Sequence, residues 1–329
     1  MKVLIVPLNW GLGHATRCIP LVQQYLAKGD EVLIGGTGAS LRLLHNYFPN
    51  LRQVPLAPLD LHYSKRKSQV GAILKSIPQL IRFTRENHKR LQAFLAKETI
   101  DLVISDNCFG VYSDNCPCVY ITHQLQVLLP KPWRWLEPAA SALHARLYNK
   151  YKEIWVPDYA GQHNLSGKLG HPKHLDSRVK YMGPLSRFKK IPLTTEANQE
   201  SYDVVAVLSG LEPQRTLFEQ EIVARYSGTN ERVLIVRGLT DEPMTQISHQ
   251  NITLVSHLNS ETLSRRFRDA KLIIARSGYS SIMDLHALGL LTKAELHPTP
   301  GQPEQEYLAG LDFSNLPVKT QMEENSCHA

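Results

Sequence analysis

KLIIARSGYSSIMDLHALG occupies residues 271–289, and its reading decides the fold. Leu272, Ile273 and Ile274 are an apolar run of buried-strand type, broken by Arg276-Ser277-Gly278. Ser280 and Ser281 offer side-chain caps for a following amphipathic helix that carries Ile282, Leu285 and Leu288 and closes at Gly289. A strand that enters a glycine turn and then a helix start is where a parallel α/β protein binds phosphate. Free backbone N–H groups and the helix dipole converge there. Arg276 adds a fixed positive charge. Asp284, one turn into the helix, is positioned to accept hydrogen bonds from neutral hydroxyls such as those of a ribose. The stretch predicts a site for one nucleotide diphosphate.

The next residues read LLTKAELHPTPGQPEQEY, with P-x-P-G-Q-x-E-Q over 298–305. Together with RSG, small residues and an acidic residue before it, this resembles the carboxyl-terminal half of GT-B glycosyltransferases. The likeness is nearest to the family that includes the N-acetylglucosaminyl transferase of lipid II synthesis (glycosyltransferase family 28). In that family the acidic residue holds the ribose of UDP, which implies that role for Asp284. The family's paired glutamines, which hold the donor sugar, fall on Gln305 and Glu306; the first matches and the second departs, so the resemblance leaves the sugar open between an N-acetylhexosamine and a hexose. The likeness runs in patches to Leu308. It implies two Rossmann-like, doubly wound parallel-sheet α/β domains facing a cleft. The corresponding division is 1–186 for the acceptor, 187–201 as linker and 202–329 for the nucleotide sugar.

Composition agrees with two domains, since 329 residues at 43% hydrophobic supply two cores. No apolar run approaches bilayer length. The opening MKVLIV runs into Gly11, Gly13 and His14 without a small-residue cleavage site, so it reads as a first strand rather than a leader. Five cysteines without a Cys-x-x-Cys pair suit reduced thiols in a cytoplasm, and Cys116-Pro-Cys118 has no partner pair to complete a metal site. Charge is uneven: residues 1–185 hold 23 lysines and arginines against 12 acidic residues, the remainder 14 against 18. The basic half suits either an anionic partner there or a merely solvated basic face.

From the amino terminus, strand and helix alternate: an apolar Val3–Leu8, a loop Asn9–His14, a helix through Leu26, a strand from Glu31 and a helix over Leu41–Phe48. The first loop is not a dinucleotide fingerprint, because Thr16 stands where the third glycine belongs and no acidic residue ends the second strand. Instead GLGH resembles the glycine-rich loop of the lipid II transferase family, which faces acceptor and donor diphosphate; this brings in Gly11 and Gly13. His14, at a helix start that disfavours an added proton, is the first candidate base, or else a helix cap or a hydrogen-bond donor to phosphate. Arg17 is expected to neutralise a phosphate or to form a surface ion pair. Asp101–Asp106 and Val119–His123 are strands ending in polar residues, where α/β sites sit. His123-Gln124 stands where the resembled family has an acidic residue beside a glutamine, proposed as general base, so His123 is the second candidate and Asp106 the group that orients either.

Arg187, after Gly183-Pro184, falls at a family arginine that faces the phosphates. Ser209-Gly210, ahead of a helix starting near Pro213, form a second phosphate cradle. Leu258 stands where the family contacts the base. No Asp-x-Asp pair is present to grip a divalent metal, so neither metal nor cofactor is expected and arginines and helix dipoles would stabilise the leaving diphosphate. Trp133 and Trp135, between Lys131 and Arg134, are read either as a bilayer-interface element or as a patch buried against the following helix. The tail after Leu308 shows no closing helix.

The expectation is metal-independent, inverting sugar transfer from a UDP-sugar to an acceptor hydroxyl. The expected partners are that donor, a lipid or glycan acceptor and an anionic membrane surface at the inner face of the cell membrane, with no nucleic acid. The alternatives are a GT-B-shaped UDP-sugar epimerase or hydrolase, or a nucleotide-binding, membrane-associated protein without catalysis.

Overall fold

The computed structural model of the chain describes residues 1–59, 70–189, 201–240, 243–314 and 316, with only the backbone of 70–76. Most of the expected linker over 187–201, the cluster Lys65, Arg66 and Lys67, and the tail from 317 lie outside the described residues.

The first half runs β1 (Lys2–Pro7), α1 (Gly13–Ala27), β2 (Glu31–Gly36), α2 (Gly38–Tyr47), β3 (Gln53–Pro55), α3 (Val70–Leu95), β4 (Leu102–Asp106), β5 (Cys118–Ile121), α4 (Glu137–Tyr148), β6 (Glu153–Val156) and β7 (Val179–Tyr181). Its strands pair in parallel in the order β3-β2-β1-β4-β5-β6-β7. Val3 and Ile5 of β1 face α1 and α2, while Leu4 and Val6 face the layer of α3 and α4. That two-sided burial is why these strands read as continuous apolar runs rather than alternating ones.

The second half runs β8 (Val204–Val207), α5 (Gln214–Tyr226), β9 (Val233–Val236), β10 (Gln246–His249), β11 (Ile252–Val255), α6 (Ser260–Asp269), β12 (Leu272–Arg276), α7 (Tyr279–Leu288), β13 (Ala294–His297) and α8 (Pro303–Ala309). Its sheet order is β10-β11-β9-β8-β12-β13, parallel except for the β10–β11 hairpin. The expected two-sheet α/β architecture is the one observed. Two strands, β10 and β13, carry too little apolar pattern to have been read beforehand.

The halves share one core. Tyr279, Ile282 and Met283 of α7 and Leu308 of α8 join Ala15, Cys18 and Ile19 of α1 in a single apolar cluster. The tail, which carries little pattern, closes onto this shared cluster: Leu311, Phe313 and Leu316 pack against it. In a parallel sheet all strands end on the same side, so Pro7, Asp106 and Ile121 crowd one edge, facing the ends of β8 and β12.

The Trp loop takes the exposed alternative. It forms a short 3-10 turn over Lys131–Leu136 leading into α4, with Trp133 47% and Trp135 74% exposed. Burial against the next helix is not what the structure shows, because α4 buries only Tyr148. Leu143 of α4 and Ile77 and Ile81 of α3 are also exposed, on the same layer of the first domain.

Candidate functional site

Between the facing strand edges lies a cleft of about 1080 Å³, the upper end of the size that encloses a ligand as large as a nucleotide sugar. Gly11 and Gly13 line it from the first domain, and Ser209, Gly210, Leu258, Ser280 and Asp284 from the second, with Arg187 at the junction. Gly11 and Gly210 have φ of +79° and +99°, a backbone region costly for any residue with a Cβ. Gly13 is favoured by contact: a Cβ there would stand 2.6 Å from the Ser280 Oγ and force it off the Gly13 carbonyl, to which it donates at 3.2 Å. At another side of the cleft the Tyr47 and Ser260 hydroxyls meet at 2.5 Å.

α7 begins two residues earlier than a cap at Ser280 would place it. Gly278 is the N-cap and no side chain caps the helix, so Ser280 and Ser281 sit inside the first turn, at the cleft wall. The correction favours anion binding, since no side-chain oxygen occupies the amide groups of the helix start. Asp284 Oδ1 accepts from the Ser186 hydroxyl at 2.6 Å, and Arg187 Nε lies 3.6 Å from Oδ2. Burial raises the Asp284 carboxyl above its ordinary range, opposed by Arg187 and Ser186.

Where the carboxyl ends of β4 and β5 meet α1, the sequence candidates converge. Arg17 clamps the Asp106 carboxylate through Nε and Nη2, with both side chains buried. His14 Nδ1 is 3.1 Å from Asp106 Oδ1 and 2.8 Å from Arg17 Nη2. Burial alone would raise the Asp106 carboxyl, but Arg17 and then His14 outweigh it and hold it down to about 2. Desolvation, then the charge of Arg17, lowers His14 below the usual imidazole value against the pull of Asp106. His14 is thus a neutral imidazole at pH 7 whose Nδ1 faces two groups: the ionised Asp106 carboxylate, which calls for a hydrogen on Nδ1 and so leaves Nε2 as a proton acceptor, and Arg17 Nη2, which can only donate. Gly13 and Thr16 beside it line the cleft.

His123 is not placed to serve as the base. Its Nδ1 faces Arg17 Nη1 at 3.2 Å, a group that can only donate, so Nδ1 holds the lone pair. Its Nε2 therefore carries the hydrogen, donated to Glu304 Oε1 at 2.8 Å. Both nitrogens are spent, and Tyr279 stacks on the ring at 4.3 Å, 3° from parallel. Arg17 likewise meets a buried carboxylate instead of a phosphate or a surface partner.

Three further expectations are corrected. Arg276 turns away from the cleft: it donates to the carbonyls of Pro298 and Gln214 and lies over the Phe218 ring at 3.9 Å. Desolvation there lowers it to about 10. Gln305 accepts from the Thr299 amide, and Glu306 accepts from that of Gly301. Both therefore brace their own loop instead of reaching the cleft. Ser277 is buried and donates to the Gln305 carbonyl. Glu304, quoted in the motif but given no role, is the residue of that motif that reaches the histidines. Its partner stands 181 residues away, which no local pattern reveals.

No family model matches the chain. A curated relative from Methanosarcina acetivorans, named an uncharacterized glycosyltransferase, is 23% identical over 330 residues, 93% of this chain and 82% of its own. Among solved structures, spinosyn rhamnosyltransferase SpnG with thymidine diphosphate matches with a TM-score of 0.57 at 14% identity, over 94% of this chain and 84% of that one. A putative UDP-N-acetylglucosamine 2-epimerase from Listeria monocytogenes matches with 0.55 at 13%, over 94% and 86%. These likenesses are of fold: the chain has the GT-B architecture.

Proposed function

We propose that this chain is a glycosyltransferase that moves a sugar from a UDP-sugar to an acceptor hydroxyl, inverting the anomeric carbon in one displacement, with no resident metal or cofactor. The observation that carries the reading is a neutral His14 backed by Asp106, next to the cleft-lining Gly13, with a helix start free of side-chain caps at the cleft wall of the second domain. In the reaction the acceptor O–H proton passes to His14 Nε2 and the acceptor oxygen bonds to the anomeric carbon. The bond to the diphosphate breaks on the opposite face and its electron pair leaves with the diphosphate. The amide groups at the start of α7, the hydroxyls of Ser209 and Ser280, and Arg187 are the groups at the cleft suited to receive that charge. The glycosyltransferase name of the M. acetivorans relative supports the same reading. Incubation with a panel of UDP- and dTDP-sugars, with and without membrane lipid extract, tests it. Acceptor-dependent release of nucleoside diphosphate is expected; sugar freed or isomerised equally well without acceptor points to an epimerase or hydrolase, and no turnover with any donor removes the reading.

The nucleotide assignment makes its own prediction. Asp284→Ala is expected to weaken UDP binding by about 1–3 kcal/mol, the cost of losing a buried charge-assisted hydrogen bond. Titration calorimetry reads this directly, and an unchanged affinity takes Asp284 out of the ribose role.

The acceptor is proposed to be membrane lipid. Trp133, Trp135 and Leu143 are exposed beside Lys131 and Arg134, and indole rings among cations suit the bilayer interface. Vesicles containing anionic lipid should retain the protein, less so as salt rises, because surface charge is screened beyond about 8 Å at physiological ionic strength. A Trp133→Ala/Trp135→Ala pair should lower retention about tenfold or more by removing two apolar anchors while leaving the fold intact. Equal retention on neutral and anionic vesicles, or none on either, counts against the attachment.

A further inference from the structure

We propose that Glu304, on α8 of the second domain, is a positioning residue that sets the proton-accepting form of His14 through His123 and Arg17. This inference rests on the glycosyl-transfer reading of His14 above.

The argument follows the hydrogens. His14 Nδ1 has two suitors. Asp106 Oδ1 at 3.1 Å requires a hydrogen on Nδ1, whereas Arg17 Nη2 at 2.8 Å requires a lone pair there. In the first case Nε2 is unprotonated and can take the acceptor's proton; in the second Nε2 already holds one and cannot. Which case prevails depends on where the Arg17 guanidinium is held. Its Nε and Nη2 grip Asp106, and its Nη1 donates to His123 Nδ1 at 3.2 Å. That third tie exists only while His123 keeps its hydrogen on Nε2, and the group that keeps it there is the Glu304 carboxylate at 2.8 Å. Burial works to raise the Glu304 carboxyl, but His123 and then the charges of His14 and Arg17 overcome it, so it stays ionised beside the ring.

Among the described residues, the charged or titratable groups that face this cluster fit the scheme; the Cys108 thiol and Tyr120 phenol, which burial and Asp106 push up, stay protonated. α1 supplies His14, Arg17 and Cys18, whose thiol lies 3.7 Å from Asp106. Burial pushes that thiol up, so it stays protonated. β4 supplies Asp106, the segment after β5 supplies His123, α4 supplies His144, and α7 supplies Tyr279, stacked on His123. His144, lowered to about 4 by desolvation and by His123, is uncharged at neutral pH. With His14 and His144 uncharged and the His123 Nδ1 lone pair facing Arg17, the buried cluster carries Arg17 against Asp106 and Glu304, one negative charge in excess. The proton taken from the acceptor neutralises it. Glu304 is the charged member contributed by the second domain, which also supplies Tyr279, so the base acquires its full setting only with that domain seated on the first.

Two variants separate hydrogen bonding from charge. Glu304→Gln keeps a carbonyl that can accept from His123 Nε2–H, but removes the negative charge. Glu304→Ala removes both. The readout is the imidazole ¹H–¹⁵N correlation of the full chain labelled at histidine, recorded across pH without any nucleotide or acceptor, followed by the pH profile of turnover. In Glu304→Ala the spectra should show His123 losing its Nε2–H form and His14 gaining hydrogen on Nε2, with turnover down about tenfold or more and UDP affinity unchanged. Glu304→Gln should keep both tautomers and most of the turnover at pH 7, while the His14 titration moves about half a pH unit or more to lower pH. Unchanged His14 and His123 signals in a folded Glu304→Ala protein overturn the proposal and leave Glu304 a brace between domains. Should Glu304→Ala not fold, an unmoved His14 titration in Glu304→Gln overturns it equally. Wild type that transfers no sugar from any donor, yet shows the expected imidazole changes, sinks the transfer reading alone.

Discussion

His14→Ala is expected to lower turnover by about a hundredfold or more with UDP affinity nearly intact, the usual size of a general-base contribution. His14→Gln should be almost as damaging, because an amide of similar reach cannot take a proton near neutral pH. The pH profile supplies an independent check. The neutral imidazole is the working form, so activity rises as pH climbs through the His14 pKa. Desolvation and Arg17 put that pKa below the ordinary 6.5, so the ascending limb should lie below 6.5 rather than around it. Stability follows the same sign: a histidine whose folded pKa is depressed favours the fold above 6.5 and withdraws that contribution as pH falls. A limb centred above 6.5, or full turnover in both variants, removes His14 from the proton transfer.

The second large effect concerns stability. Arg17 and Asp106 are 1% and 0% exposed, and the carboxylate has no other full charge against it. Arg17→Leu keeps apolar bulk but strands Asp106, so a loss of about 3–5 kcal/mol is expected, the cost of leaving one partner of a buried pair uncompensated. Denaturant titration at several pH values distinguishes this from a packing defect. In wild type the folded carboxyl titrates at about 2, below its unfolded value. The pair's contribution is therefore present above roughly pH 4 and lost as pH drops toward 2. In Arg17→Leu the folded protein should instead take up a proton at Asp106 or His14 more readily than the unfolded chain, so its deficit should shrink as pH falls from 7 to 5. A deficit below about 1 kcal/mol, within the range of exposed pairs, would mean that the clamp is not what holds this edge together.

The fold was legible because its signals are local. The apolar run from Leu272, the turn at Gly278 and the stripe of Ile282 and Leu285 lie within a few residues of one another, and backbone sterics bind them to one reading. The site was legible only by halves. His14 and Asp106 could be named because glycine-flanked helix starts and polar strand ends announce themselves. Arg276 misled because a positive charge beside a phosphate-type turn says nothing of which way the side chain leaves the strand, and here it leaves toward Phe218. Arg17 and Glu304 escaped because their partners are 89 and 181 residues distant. Trp133 and Trp135 were undecidable in sequence, since an amphipathic loop reads the same whether or not something covers it.

The seam between α1 and α7 has a consequence for how such a chain can change. Tyr279, Ile282 and Met283 belong in sequence to the second sheet, yet they fill the core of the first. A side chain at position 13 would meet the Ser280 hydroxyl that now bonds the Gly13 carbonyl. The two halves are therefore not interchangeable cassettes. A recombinant that takes its carboxyl half from another lineage inherits an α7 whose apolar face was shaped against a different α1, and a methyl group at position 13 would displace the Ser280 hydroxyl from its bond across the joint. Trading whole halves to acquire a new donor or acceptor demands that α1 and α7 travel together, so single substitutions in the loops at the cleft rim are the easier route to a new specificity.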